Sequence, residues 1–195
     1  MIKLSSMENL NTTSKANEFL NCFLQSDHFS IADSLLPSLD RSRLNLSYES
    51  LDYLFESVLT YSCFDNSRAK QGGPFWTKYD AMYAISNKYS VETLYFIDLC
   101  TYYFGNVLVR HAFGAEWGVH CDQTLKGRLA DYNGKYTPCI ENVANDTFSC
   151  PIFFLFYNKL RKALIHGLDS VLPVSLEAKH QVLVLNGEIK DNHNA

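Results

Sequence analysis

Residues 91–121, VETLYFIDLCTYYFGNVLVRHAFGAEWGVHC, decide the fold. They read as one long helix, a glycine-bearing turn and then a strand. Leu94, Tyr95, Phe96, Ile97, Leu99, Cys100, Tyr102, Tyr103, Phe104, Val107 and Leu108 cover nearly every face of that helix. A helix apolar all round is normally enclosed by protein. Asp98 and Arg110 interrupt the run, so it does not suit a membrane span, which needs an almost uncharged stretch. The expectation is the central helix of a soluble domain, capped at its start by Ser90.

On the N-terminal side, Ala16, Phe19, Leu20 and Phe23 recur at helical spacing and predict a helix from Thr13. Residues 26–46, punctuated by Pro37 and by Ser and Asp, read as a loop with short extended pieces. Leu51, Leu54, Phe55, Val58 and Leu59 then predict an amphipathic helix. Ser47 or Asn45 is placed to cap it, and Glu49, Asp52 and Glu56 take its wet side. Gly72-Gly73-Pro74 breaks the chain, and Pro74 suits the first turn of another helix carrying Phe75, Tyr79, Met82 and Tyr83.

On the C-terminal side, residues 115–121 read as a strand with Trp117 and Val119 on one face. Asn133-Gly134 is a strong hairpin signal. It would join 128–132 to 135–140, with Pro138 placing the second piece at a sheet edge. Cys150-Pro151 opens a helix bearing Phe153, Phe156, Tyr157, Leu160 and Leu164 and stopped by Gly167. Residues 168–176 read as helical around Pro173; 181–185 fit either a strand or a last helical turn. The expected fold is α+β and mainly helical. Amphipathic helices surround a central apolar helix, beside a small antiparallel sheet of two or three strands. A single globular domain over 13–186 is expected, with flexible termini at 1–12 and 187–195.

Composition bounds the function classes. The chain has 195 residues, 47% hydrophobic and 19% charged, which is globular rather than disordered. A formal net charge of −4 disfavours nucleic acid, which asks for a basic face. The densest basic run, Lys159-Leu160-Arg161-Lys162, reads as a solvated helix face. The first residues lack the apolar core of a secretion signal, and the six cysteines form no C-x-x-C pair. Reduced, mostly buried thiols and a cytoplasmic location are therefore expected.

Few constellations suggest chemistry. His111, His120, Cys121 and Cys100 offer zinc-type donors, but adjacent residues of a strand point to opposite faces, so no metal is expected. Cys150 has the setting of an activated thiol at a helix start, without a family-type motif around it. No P-loop, dinucleotide fingerprint or Gly-x-Ser-x-Gly is present, and no cofactor is expected. Asp98 and Asn106 stand out because a polar side chain in an apolar helix must find partners. Asp98 is expected to accept from a tyrosine hydroxyl, with difficulty from Arg110, or from sheet amides, tying helix to strand. Gly105 would admit close approach of another backbone, and Asp98, Gly105, Asn106 and Trp117 together read as a packing joint or pocket. Phe75, Trp76, Phe113 and Trp117 are candidates for an aromatic surface patch.

Tyr103-Phe104-Gly105-Asn106-Val107, followed by Gly114-Ala115-Glu116-Trp117-Gly118, resembles a group of uncharacterised bacterial proteins marked by Tyr-x-Gly-Glu and then Gly-x-x-Trp. Ser47-Tyr48-Glu49-Ser50-Leu51-Asp52, Cys150-Pro151-Ile152-Phe153 and Gly167-Leu168-Asp169-Ser170 resemble further segments of that group. Asn106 stands where the group carries Glu, so no carboxylate role carries over to that position. The resemblance implies an α+β immunity-type or accessory protein, found beside polymorphic toxins, with no known activity.

Three functions follow, in this order. The first is a binding protein of immunity type whose acidic balance suits a basic protein toxin, with Glu49, Asp52, Glu56 and Asp65 as contact residues. The second is a homodimer or scaffold formed through an aromatic surface. The third is an enzyme with an unfamiliar site near the central helix, drawing on Asp98, His111, His120 or Cys121. No catalytic residue is assigned.

Overall fold

The computed structural model describes residues 12–65, 72–78, 88–121, 136–149 and 152–190. Among the described residues, six helices and three short strands follow one another as α1 Thr13–Leu24, α2 His28–Leu35, α3 Tyr48–Tyr61, α4 Val91–His111, β1 Glu116–Cys121, β2 Tyr136–Asn142, β3 Thr147–Phe148, α5 Ile152–His166 and α6 Val174–Leu185. The fold is mainly helical α+β, with a three-stranded antiparallel sheet in the order β1-β2-β3.

The apolar circumference of α4 has the consequence its sequence demands. Thirteen of its 21 residues are buried, and α2, α3, α5 and α6 pack around it while the sheet meets it on a further side. Phe96, Ile97, Leu99, Phe104, Val107 and Leu108 are each essentially inaccessible. Full burial of one such side chain is worth about 1.5–3 kcal/mol, so this one element carries much of the core. Ser90 caps it as expected, its hydroxyl accepting from the Thr93 amide at 3.2 Å. Arg110 and His111 lie in its last turn, the favourable end of the helix dipole for cations.

The other helices begin where short polar side chains satisfy free amides. Thr12 caps α1 and Ser47 caps α3, while Asn45 accepts from the Ser47 amide at 3.0 Å. The loop expected over residues 26–46 instead contains α2 and a 3-10 turn at Arg41–Arg43. Asp27 caps α2, accepting from the Ser30 amide at 2.9 Å, and that amide holds its carboxyl below the ordinary value. Ala32 and Leu36 anchor the helix in the core, and Pro37 disfavours its continuation.

Around the sheet the correspondence is mixed. β1 forms as expected and pairs with β2 from Glu116↔Glu141 to Cys121↔Tyr136. The Asn133-Gly134 turn and its first strand lie outside the described residues. β2 is the middle strand, not an edge. Pro138 is tolerated because β3 pairs only with Glu141 and Asn142, so the missing amide faces no ladder in the described sheet. Residues 181–185 belong to α6, not to a strand. That helix closes with Gly187 at φ +72° and bonds from Gly187 N to Val184 O and Glu188 N to Leu183 O, the two-bond terminus a left-handed glycine permits. α5 ends at Gly167, which takes a positive φ of +88° and donates its amide to the Ala163 carbonyl at 2.9 Å. The helix expected after Pro74 is seen as a 3-10 turn, Phe75–Lys78; its continuation lies outside the described residues.

Lys159 is the exception to the reading of the basic run as a solvated face. It is 9% exposed and donates to the Leu172 carbonyl at 3.0 Å, with Glu177 at 3.6 Å. Arg161 and Lys162 are exposed.

Candidate functional site

Two groupings bring the notable polar residues together, one sealed in the core and one open at the surface. The sealed one is centred on Asp98. Its two carboxylate oxygens accept from Trp76 Nε1 at 2.6 Å and meet His28 Nδ1 at 2.5 Å. His28 Nε2 lies 2.7 Å from the Phe23 carbonyl, and the ring stacks on Tyr102 at 4.1 Å between centroids. Among the described residues neither a tyrosine hydroxyl, Arg110 nor a sheet amide takes part, and Asp98 ties α4 to α2 and to the Phe75–Lys78 turn.

Both ring nitrogens of His28 face acceptors. Either the imidazole carries two protons beside a carboxylate, or the carboxyl keeps one proton and the ring the other. In both forms the pair is neutral as a whole, which is how such groups tolerate burial. An Asp–His pair invites comparison with the orienting half of a hydrolase triad. There the second nitrogen must be free to take a proton from a nucleophile. Here it meets the Phe23 carbonyl, and His28 and Asp98 are each 5% exposed. The arrangement is a clamp.

Phe23 continues the cluster to the expected joint. Its ring lies 4.6 Å from His28 and 5.7 Å from Trp117, and Trp117 Nε1 donates to Asn106 Oδ1 at 3.3 Å. Gly105 does allow a close approach, but by the Trp117 indole, not by a backbone: a Cβ there would overlap its six-membered ring. Asp98, Gly105, Asn106 and Trp117 are thus linked through Phe23 and His28. His111 is elsewhere, about 20 Å along the axis from Asp98 at the usual ~1.5 Å rise per residue. Its Nε2 meets the Leu46 carbonyl at 2.9 Å and its ring stacks on Tyr48. The side chains of His120 and Cys121, and all of Cys150, lie outside the described residues. Among the described residues no group of three or more His, Cys, Asp or Glu is placed to hold a metal.

His28 is the central residue that the sequence reading missed. Asp27 three residues before Ser30, with Ala32 and Leu36 beyond, was the available signal for a helix there. The candidate aromatic patch does not form among the described residues: Trp76 is fully buried, Phe75 packs on Phe19 at 5.2 Å, and Trp117 is half-buried. Phe113 alone of the four stands out, 93% exposed.

Thiol chemistry separates the cysteines. Burial pushes the Cys100 thiol far above its ordinary pKa, whereas Cys63 is exposed. Because the thiolate is the reacting form, iodoacetamide should modify Cys63 in the native protein and reach Cys100 only after unfolding. Peptide mapping by mass spectrometry checks this; comparable labelling of both would contradict the buried position of Cys100.

The open grouping lies along α3. Glu49, Asp52 and Glu56 share one stripe, as their spacing requires. Glu49 and Glu56 are exposed. Asp52 has a structural task, since its Oδ1 accepts from the Ser175 amide at 2.9 Å. The α6 N-cap residue is Pro173, which has no side-chain acceptor, so α3 supplies the cap from outside. Asp65 lies apart, beyond the end of α3, where its amide donates to the Lys88 carbonyl at 3.0 Å. Beside the stripe opens a cleft of about 390 Å³, walled by Asp52, Phe55 and Glu56 on one side and by Leu168, Asp169 and Leu172 on the other. Leu168 is 40% and Leu172 67% exposed. Neither Glu49, Glu56 nor Asp169 forms an ion pair among the described residues.

No helix among the described residues is long and apolar enough to cross a membrane. No family model, curated protein or solved structure matches the chain.

Proposed function

We propose that the protein is a binding module that captures a basic protein partner through the acidic face of α3, in the manner of an immunity protein occupying a basic toxin. The observation that carries this reading is the open grouping. Surface carboxylates without an ion pair among the described residues stand beside exposed leucines, on elements fixed by the core. Complementary charge steers encounter and sets register, while apolar contact supplies the lasting part of the affinity. Glu49 and Glu56 are the contact residues of the stripe, joined by Asp169 from the α5–α6 connection. Asp52 positions α6 instead, and Asp65 is outside the face.

Capture from a lysate of the source cells, with the tagged chain as bait, tests the proposal. One basic protein should be retained stoichiometrically by the native chain and lost by the Glu49→Lys, Glu56→Lys double variant, with the melting temperature unchanged. An empty capture by a folded bait, or equal retention by the variant, would overturn it.

A further inference from the structure

We infer that the cleft between α3 and the α5–α6 connection seats an arginine of the partner, presented by a basic amphipathic segment; this rests on the binding reading above. At about 390 Å³ the cleft is too small for a helix and suits one or two side chains. What enters it is therefore an anchor residue of a segment lying across the surface. Its chemistry is set by the walls. Glu56 and Asp169 offer carboxylates from opposite sides, and Phe55, Leu168 and Leu172 offer apolar contact. An arginine matches both, laying its aliphatic stem on the leucines and its planar fork against the acids.

The far lip is held in place before any partner arrives. The 3-10 turn Leu168–Ser170 follows directly on Gly167, and Ser170 Oγ donates back to the Gly167 carbonyl at 2.6 Å. Lys159 fixes the Leu172 carbonyl from beneath, and Asp52 fixes the start of α6 from the opposite wall. Such prior ordering reduces the entropy lost on binding. A second copy of the chain is the poorer occupant, because it carries the same acidic face and a net charge of −4.

Titrating the nitrogen-15-labelled full chain with a short helical Leu/Arg peptide tests the assignment, with the Leu/Glu counterpart as control. Saturable shifts should centre on Phe55, Glu56 and residues 168–174 with the first peptide only. The Asp169→Asn, Leu172→Ser variant should weaken that binding about tenfold or more. Shifts that avoid the cleft, or ignore the variant, overturn the assignment. So do shifts that grow with protein concentration alone, which would mark a second copy as the occupant. Capture from the lysate separates the two readings. A partner lost by Glu49→Lys but kept by Asp169→Asn, Leu172→Ser retains the binding function and removes the arginine seat; a partner kept by both removes both.

Discussion

Replacing Asp98 by Ala should lower the stability of the folded chain by about 3–5 kcal/mol, the range for breaking a buried pair from one side. The change leaves the His28 Nδ1 and Trp76 Nε1 groups without their carboxylate in a site closed to water. Desolvated groups with no partner cost more than the hydrogen bonds themselves contributed. Asp98→Asn should cost far less, about 1 kcal/mol. Its carbonyl still accepts from Trp76, and its amide donates to a neutral imidazole whose Nε2–H continues to serve Phe23. Urea unfolding of both variants checks the contrast. Equal losses would mean that the net charge of the carboxylate, not the satisfaction of its neighbours, holds the clamp. Because Asp98 is buried and its partners are His28 and Trp76, neither variant should change which partner is captured while it stays folded.

Gly105→Ala is the second large effect. Inside a helix, alanine is favoured over glycine by about 1 kcal/mol, and on propensity alone the variant would be stabilised. The indole of Trp117 reverses the sign. Its ring occupies the space of the new methyl group and is held there by Phe23 and by its bond to Asn106. Overpacking of this kind costs about 1–3 kcal/mol, so after the propensity gain a net loss of up to about 2 kcal/mol is expected. In a Trp117→Ala background the same substitution should be neutral or stabilising, because the obstacle is gone. A thermal melt of the four proteins in that cycle decides it. Gly118→Ala is a useful contrast: the group a Cβ meets there is the end of the flexible Glu141 side chain, which can swing aside.

Much of this architecture was legible in residue spacing. The apolar circumference of α4, the stripes of α1 and α3, the Ser90 cap and the Gly167 stop each follow from a local pattern that one element satisfies alone. What escaped notice depends on pairs distant in sequence. Asp98 meets a histidine 70 residues away, and no local pattern near His28 announces that contact. Asp52 looked like any acid on a wet helix face until α6, 123 residues on, placed an amide against it. Lys159 read as solvated for the same reason: its carbonyl partner arrives only when the chain returns at Leu172. Of the candidate contact acids, Glu49 and Glu56 are exposed, while packing gives Asp52 another task. The cleft itself, made by two walls from separate parts of the chain, has no signature within either.

In the proposed function the acidic face of α3 is the working surface, and the buried clamp only holds it in shape. The most direct test is the affinity of the captured partner for the native chain and for Glu56→Lys, each at low and at high salt. The account predicts native binding that weakens with salt, since exposed charges are screened. It also predicts a variant weaker by about tenfold at low salt, or ~1.4 kcal/mol, with the same melting temperature. Affinity indifferent to both the substitution and the salt would contradict it.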